Sequence, residues 1–140
     1  MIIRTFDERD TDNVLALWSA AFPEYAVPGK PQRDPRLSIA NKLAVQPELF
    51  FVGVLGERII GTVMAGYDGH RGWLYSLAVE EDQRGNGYGR ALVEHVEAAL
   101  NALGCPKLNL QIMANKPDLK AFYSKLGYHA DEVISLGKQL

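Results

Sequence analysis

Between Leu49 and Val79 three apolar runs stand so close together that the chain can only double back on itself. Leu49 to Leu55 is followed by Gly56-Glu57-Arg58, and Ile59 to Tyr67 by Asp68-Gly69-His70-Arg71-Gly72; Trp73 to Val79 is the third run. A parallel crossover needs a dozen residues or more, whereas short turns with glycine where positive φ is wanted join antiparallel neighbours. The spacing predicts a three-stranded meander, and the rest of the fold must be built around it.

After Val79 the period changes. Gly85-Asn86-Gly87-Tyr88-Gly89 opens a segment in which Leu92, Val93, Val96, Ala99, Leu100 and Leu103 recur at helical spacing, leaving Glu94, Glu97 and Asn101 to face water. Gly104 sits where a helix C′ residue belongs, and Pro106 prevents continuation. Upstream, Ile2 to Phe6 reads as a first strand. Asp10 or Thr11 caps a helix carrying Val14, Leu15, Leu17, Trp18 and Phe22, which Pro23 ends. Pro23 to Arg33 is loop-like, and Asp34-Pro35 restarts a helix with Leu37, Ala40, Leu43 and Ala44 on one face. Downstream, Leu108 to Met113 is expected as a strand and Pro117 to Leu126 as a helix ended by Gly127. Tyr128 to Leu140 is expected to add one or two final strands. The order is β-α-α-β-β-β-α-β-α-β. It predicts an α+β fold: a mixed, mostly antiparallel central sheet flanked by about four helices.

A length of 140 residues fits one domain over 1–140, and a hydrophobic fraction of 47% supplies a core for it. With 15 basic against 17 acidic side chains the net charge is −2, which argues against a nucleic-acid partner bound through a broad basic face. Cys105 is the single cysteine, so no internal disulfide can form, and no Cys and His spacing suggests a metal site. The N-terminal residues lack the apolar core of a signal peptide, and no run approaches the roughly 20 residues that span a bilayer. A cytoplasmic protein with no membrane partner is the expectation.

The chemistry concentrates at Arg84-Gly85-Asn86-Gly87-Tyr88-Gly89, between a strand and an amphipathic helix. The first N–H groups of a helix have no intrahelical partner, and the helix dipole adds partial positive charge there. Glycines let the backbone turn and bring those amides close to an anion, for which a diphosphate is the natural guest. Arg84 and Arg90 can add charge-assisted contacts. The segment is no P-loop, lacking Gly-Lys-Ser/Thr. Its glycine spacing, after an antiparallel meander, also misfits a dinucleotide fingerprint and disfavours a nicotinamide-dependent oxidoreductase.

Arg84-x-x-Gly87-x-Gly89, preceded by Leu77-Ala78-Val79 and followed by Ala91-Leu92, resembles the acetyl-CoA signature of the GNAT superfamily of N-acetyltransferases. Asn115 followed by Ala121-Phe122-Tyr123-Ser124-Lys125-Leu126-Gly127-Tyr128 is similar to the second half of that family's pattern. The two blocks cover roughly Trp73 to Tyr128. Tyr67-Asp68-Gly69-His70-Arg71-Gly72 and Ser135-Leu136-Gly137-Lys138 further resemble the bacterial YpeA-type acetyltransferases. The resemblance implies an acetyl-CoA-dependent N-acetyltransferase that uses no metal. It implies that Leu77, Ala78 and Val79 meet the pantetheine arm through their backbone. The amides of Arg84, Gly85, Asn86, Gly87, Tyr88 and Gly89 would hold the diphosphate, with Arg90 beside them. Asn115 matches a position that bonds the pantetheine arm, and Tyr123 the general acid.

A phenol with an intrinsic pKa of about 10 stays protonated at neutral pH and can donate to a departing thiolate. A backbone N–H near Leu77 can stabilise the oxyanion. For the base, no carboxylate lies within Trp73–Val79; Glu24, Asp68, His70 and Glu80 are the candidates, each also readable as a turn or solvated residue. His95 and His129 read as structural or exposed, and Cys105 as a bland small residue beside a helix stop. Glu24, Tyr25, Lys30, Arg33 and the turn Asp68–Arg71 are expected to border an acceptor site for an amine-bearing small molecule or a peptide. A sheet edge left open makes a homodimer a candidate assembly. The alternative function is a non-catalytic acetyl-CoA-binding regulatory module, which the presence of Tyr123 disfavours.

Overall fold

The computed structural model describes residues 1–26 and 29–140, so residues 27 and 28 of the expected loop lie outside the described part. The chain forms two compact units, Met1–Leu110 and Gln111–Leu140.

The first unit holds five strands and three α-helices: β1 (Ile2–Thr5), α1 (Thr11–Ala21), α2 (Pro35–Ala44), β2 (Phe50–Leu55), β3 (Arg58–Tyr67), β4 (Gly72–Val79), α3 (Tyr88–Ala102) and β5 (Leu108–Leu110). The sheet order is β1-β2-β3-β4-β5, antiparallel from β1 to β4 and parallel between β4 and β5. The meander is as the spacing predicts. The parallel pairing follows from α3, which carries the chain back across the sheet between β4 and β5.

The helices pack on both faces. Successive strand residues point to opposite sides. Thr62 meets Trp18 of α1, while a Cβ on its neighbour Gly61 would stand 2.9 Å from Leu92 of α3. On the α1 face, Val14, Leu17, Trp18, Ile39, Phe50, Val52 and Met64 form the core, with the Phe6 and Phe50 rings stacked 4.3 Å apart. On the α3 face, Leu92, Val93, Val96 and Leu100 are buried. Leu103, expected on that stripe, is exposed because the helix has ended at Ala102.

Three local expectations are corrected. Asp10 does not cap α1 with its side chain; its carboxylate accepts from the Asp7 N–H at 2.9 Å and from Arg4 Nη1 at 2.7 Å. The capping belongs to Asp7, one turn earlier, at the head of a 3-10 turn over Glu8–Asp10. Asp34 does cap α2, but the residues buried on it are Ile39 and Lys42; of the expected face only Leu43 packs against the core, while Leu37, Ala40 and Ala44 are exposed. The Lys42 stem crosses apolar surface so that its ammonium can donate to the Ala65 carbonyl. The third concerns β5, expected to reach Met113, which ends at Leu110.

In the second unit, α4 (Asp118–Lys125) is closed by Gly127 at φ +94°. The final strands expected over Tyr128–Leu140 are absent: among the described residues no helix or strand follows α4. Val133, Ile134 and Leu136 suggest a strand by residue type but stand exposed, and β-propensity makes no strand where no ladder receives it. Among the described residues the order is therefore β-α-α-β-β-β-α-β-α, still an α+β fold with a mixed sheet and four α-helices.

Candidate active site

Two backbone irregularities lie on and just beyond β4. The first is a bulge. The β3–β4 register runs Thr62 opposite Ala78 and then Met64 opposite Tyr75, so β4 carries one residue more than β3 across this step. Ser76, in the bulge, has φ +53°, a conformation that non-glycine residues rarely adopt. The parallel ladder to β5 spans only Gly72, Trp73 and Leu74. Beyond it, Tyr75 to Val79 have no partner on that side. Leu77, Ala78 and Val79 therefore border an opening in the sheet, with Ala78 buried and Leu77 and Val79 half-buried.

Polar groups fix the bulge from the α1 side. Trp18 Nε1 donates to Thr62 Oγ1 at 2.8 Å, and Thr62 Oγ1 donates to the Ser76 carbonyl at 3.0 Å. The Tyr25 side chain hydrogen-bonds Ser76, and its ring stacks on Phe22 at 4.7 Å. Burial pushes the Tyr25 phenol above its ordinary pKa, against a smaller lowering by that hydrogen bond. Sequence reasoning missed this group. Its signal is two hydroxyl residues, Thr62 and Ser76, inside otherwise apolar strands.

The second irregularity is the loop from Arg84 to α3. Gly85 and Gly87 have φ +83° and +79°, and Gly87 is the N-cap of α3 with no side chain capping it. Added Cβ atoms at these two glycines would meet nothing within 4 Å. Their necessity is conformational, not steric crowding. No backbone acceptor outside helices and strands takes the N–H of Gly85, Asn86 or Gly87 among the described residues, and Tyr88, Gly89 and Arg90 form the uncapped first turn of α3. Asn86 Nδ2 donates to the Gln83 carbonyl at 3.0 Å and braces the loop from within.

The two arginines separate. Arg90 Nε pairs with Glu94 Oε1 at 2.7 Å along the helix. Arg84 is exposed and forms no ion pair among the described residues. It lines a cleft of about 290 Å³ with Leu17, Ala20, Arg58, Val79 and Glu80. An anion at this helix start would meet main-chain donors, one available guanidinium and the positive end of a 15-residue helix.

Tyr123 lies in the second unit, on α4, and is buried, with its ring edge-on to Phe122 at 4.9 Å and to Tyr128 at 5.7 Å. Burial pushes its phenol up to about 12, so it holds its proton throughout the physiological range. Asn115 is exposed in the turn before α4.

The four base candidates are not gathered in one place. Asp68 Oδ1 accepts from the N–H groups of His70 and Arg71, both at 2.7 Å, and these bonds hold its carboxyl below the usual range. Glu80 pairs with Arg58. Both serve turns. His70 is exposed, and Glu24 lies in the 3-10 turn Pro23–Ala26. Of the residues read as structural or bland, His95 packs edge-on against Phe51 at 4.5 Å, and Cys105 Sγ donates to the Lys107 carbonyl.

Residues 12–128 match the family model of the acetyltransferase (GNAT) family. The chain is 41% identical over 140 residues to acetyltransferase YE1169 of Yersinia enterocolitica, covering 100% of this chain and 96% of that protein. It is 40% identical over 141 residues to acetyltransferase SG1711 of Sodalis glossinidius, again covering 100% and 96%. Its fold superposes on an aminoglycoside 6'-N-acetyltransferase of Acinetobacter haemolyticus with a TM-score of 0.76 at 15% identity, covering 100% and 99% of the two chains. The chain belongs to the GNAT family of acetyltransferases, and its enzymatic class is N-acetyltransferase.

Proposed function

We propose that the protein transfers the acetyl group of acetyl-CoA to a primary amine by direct attack of that amine on the thioester. The observation that supports the coenzyme is the start of α3: Gly85 and Gly87 at positive φ, an uncapped first turn, and Arg84 unpaired beside it. The main-chain donors of Arg84 to Gly89 hold the diphosphate, and Arg84 adds a charge-assisted contact. Arg90, engaged with Glu94, makes a lesser contribution. Leu77, Ala78 and Val79 offer backbone groups on the open side of β4 to the pantetheine arm, and Asn115 bonds the same arm.

Bound acetyl-CoA supplies an activated acyl thioester. The Leu77 N–H stabilises the oxyanion that develops as the amine adds. The Tyr123 phenol, protonated at neutral pH, donates its proton to the thiolate sulfur as it departs and recovers one from the nitrogen of the forming amide. The burial that raises its pKa makes it a weaker acid, so donation is coupled to that return. With Asp68 held in its turn and Glu80 ion-paired with Arg58, the ammonium of the acceptor loses its proton to water rather than to either carboxylate. The acceptor is an amine-bearing small molecule or a peptide, approached past Tyr25. The two units act as one catalytic domain in the cytoplasm, and the sheet edge is free for a homodimer.

A thiol-release screen over amines and peptides, run on wild type and Tyr123→Phe, tests this reading. Turnover in the variant is expected to fall by about 10²-fold or more while acetyl-CoA affinity stays nearly intact. Equal turnover would remove Tyr123 from the chemistry. Calorimetric acetyl-CoA binding with no thiol release from any amine would make the protein a binding module.

A further inference from the structure

Two side chains 44 positions apart meet under the bulge of β4. An indole nitrogen is a donor only, so Thr62 Oγ1 accepts from Trp18 and its own hydrogen is left for the Ser76 carbonyl. The direction of both bonds is fixed. Trp18 and Thr62 are 1% and 0% exposed, so water does not compete for either.

We infer that Thr62, oriented by Trp18, is a positioning residue that aims the Leu77 N–H. The Ser76 carbonyl and the Leu77 N–H belong to one peptide unit, and no peptide bond here is cis. In a trans peptide the two groups point in opposite directions, so pinning the carbonyl toward Thr62 turns the N–H away from it. The ladders leave Ser76 and Leu77 without a cross-strand partner, so neither β3 nor β5 orients this peptide through regular pairing. Ser76 at φ +53° would relax if released. The hydroxyl of Thr62 therefore does what a strand ladder does elsewhere. It holds one N–H in a fixed direction beside the open edge of β4. The catalytic consequence rests on Leu77 being the oxyanion donor proposed above; the structural consequence does not.

Thr62→Val removes the hydroxyl at nearly constant shape, and Thr62→Ser keeps it. In the free protein, the Leu77 amide resonance in an NMR ¹H–¹⁵N spectrum is expected to shift or broaden in Thr62→Val and to return in Thr62→Ser. Turnover is expected to fall about 10- to 100-fold in Thr62→Val with acetyl-CoA affinity changed by no more than about twofold, and to recover in Thr62→Ser. A Leu77 resonance indifferent to Thr62→Val overturns the inference, as does a Thr62→Ser protein as slow as Thr62→Val. Should Thr62→Val fail to fold, Trp18→Phe frees the hydroxyl to rotate and is expected to move the same resonance less far; no movement would again overturn it. A wild type that acetylates no amine would defeat the proposed function, while the Leu77 resonance would still judge the positioning.

Discussion

The loop after β4 and the bulge within it solve one problem in different ways. Both need backbone at positive φ. The loop uses glycine, at φ +83° for Gly85 and +79° for Gly87, where a left-handed conformation carries little steric penalty. The bulge uses Ser76 at φ +53°, where an L-residue is strained by about 1–2 kcal/mol, and offsets the strain with the bond from Thr62 to its carbonyl and the hydrogen bond between its side chain and Tyr25. The loop's geometry is written in its own residues, whereas the bulge's geometry is written in residues elsewhere. Substitution should therefore act locally at the first and through the α1 face at the second.

The largest expected effect comes from Gly87→Val. A β-branched residue at φ +79° is a conformational outlier, so the variant moves the start of α3 rather than clashing with a neighbour. Acetyl-CoA affinity measured by calorimetry should fall at least tenfold, about 1.4 kcal/mol, with the thermal midpoint lowered by only a few degrees. Affinity within twofold of wild type would mean that the loop does not hold the coenzyme.

Ser76→Val should act the other way round. It forces a β-branched residue into φ +53° and deletes the partner of Tyr25, for an expected loss of about 2–3 kcal/mol of folding stability by chemical denaturation. Ser76→Gly keeps the backbone conformation without strain. Its gain is offset by the lost hydroxyl and the freer unfolded chain, leaving a net change within about 1 kcal/mol. If the two variants prove equally unstable, the bulge is held by the Ser76 side chain and not by its conformation.

The same contrast explains what the sequence made legible. The meander, α3 and the glycine loop follow from periods and turn residues that act over a few positions. Asp34-Pro35 announced α2 by the same local logic. The inward face of α2 was hidden because Lys42 reads as a surface residue until Ala65 is placed beneath it. The bulge was hidden because Trp18, Thr62 and Ser76 are brought together only by the sheet. The tail after Tyr128 erred in the opposite sense: Val133, Ile134 and Leu136 favour a strand locally, but no ladder takes them up. The loop's conformation was therefore readable residue by residue; near Leu77 the strand was readable, but the bulge and the side chains that hold it were not.

Lys42 offers a gentler probe of the bulge side. Its ammonium donates to the Ala65 carbonyl and stands 5.7 Å from the centre of the Tyr75 ring, one residue before Ser76. Burial lowers its pKa from 10.5 to about 8, against a smaller raising by Glu48. Between those values the unfolded chain holds a proton that the folded chain has released, so folding stability must rise with pH from about 8 toward 10.5. Below about 8 the charged form stays buried at full penalty. Allowing for solvent screening, the rise is on the order of 1–2 kcal/mol, and Lys42→Met should abolish it. Three tyrosines act in the opposite sense, because Tyr25, Tyr75 and Tyr123, whose pKa values are raised by desolvation, keep their protons in the folded state after the unfolded chain has begun to lose them near 10. Urea denaturation of wild type and Lys42→Met, compared between pH 7 and 9.5, isolates the lysine from that opposing trend. Parallel stability curves for the two proteins would mean that Lys42 reaches solvent and that the Tyr75 end of the bulge is not anchored by it.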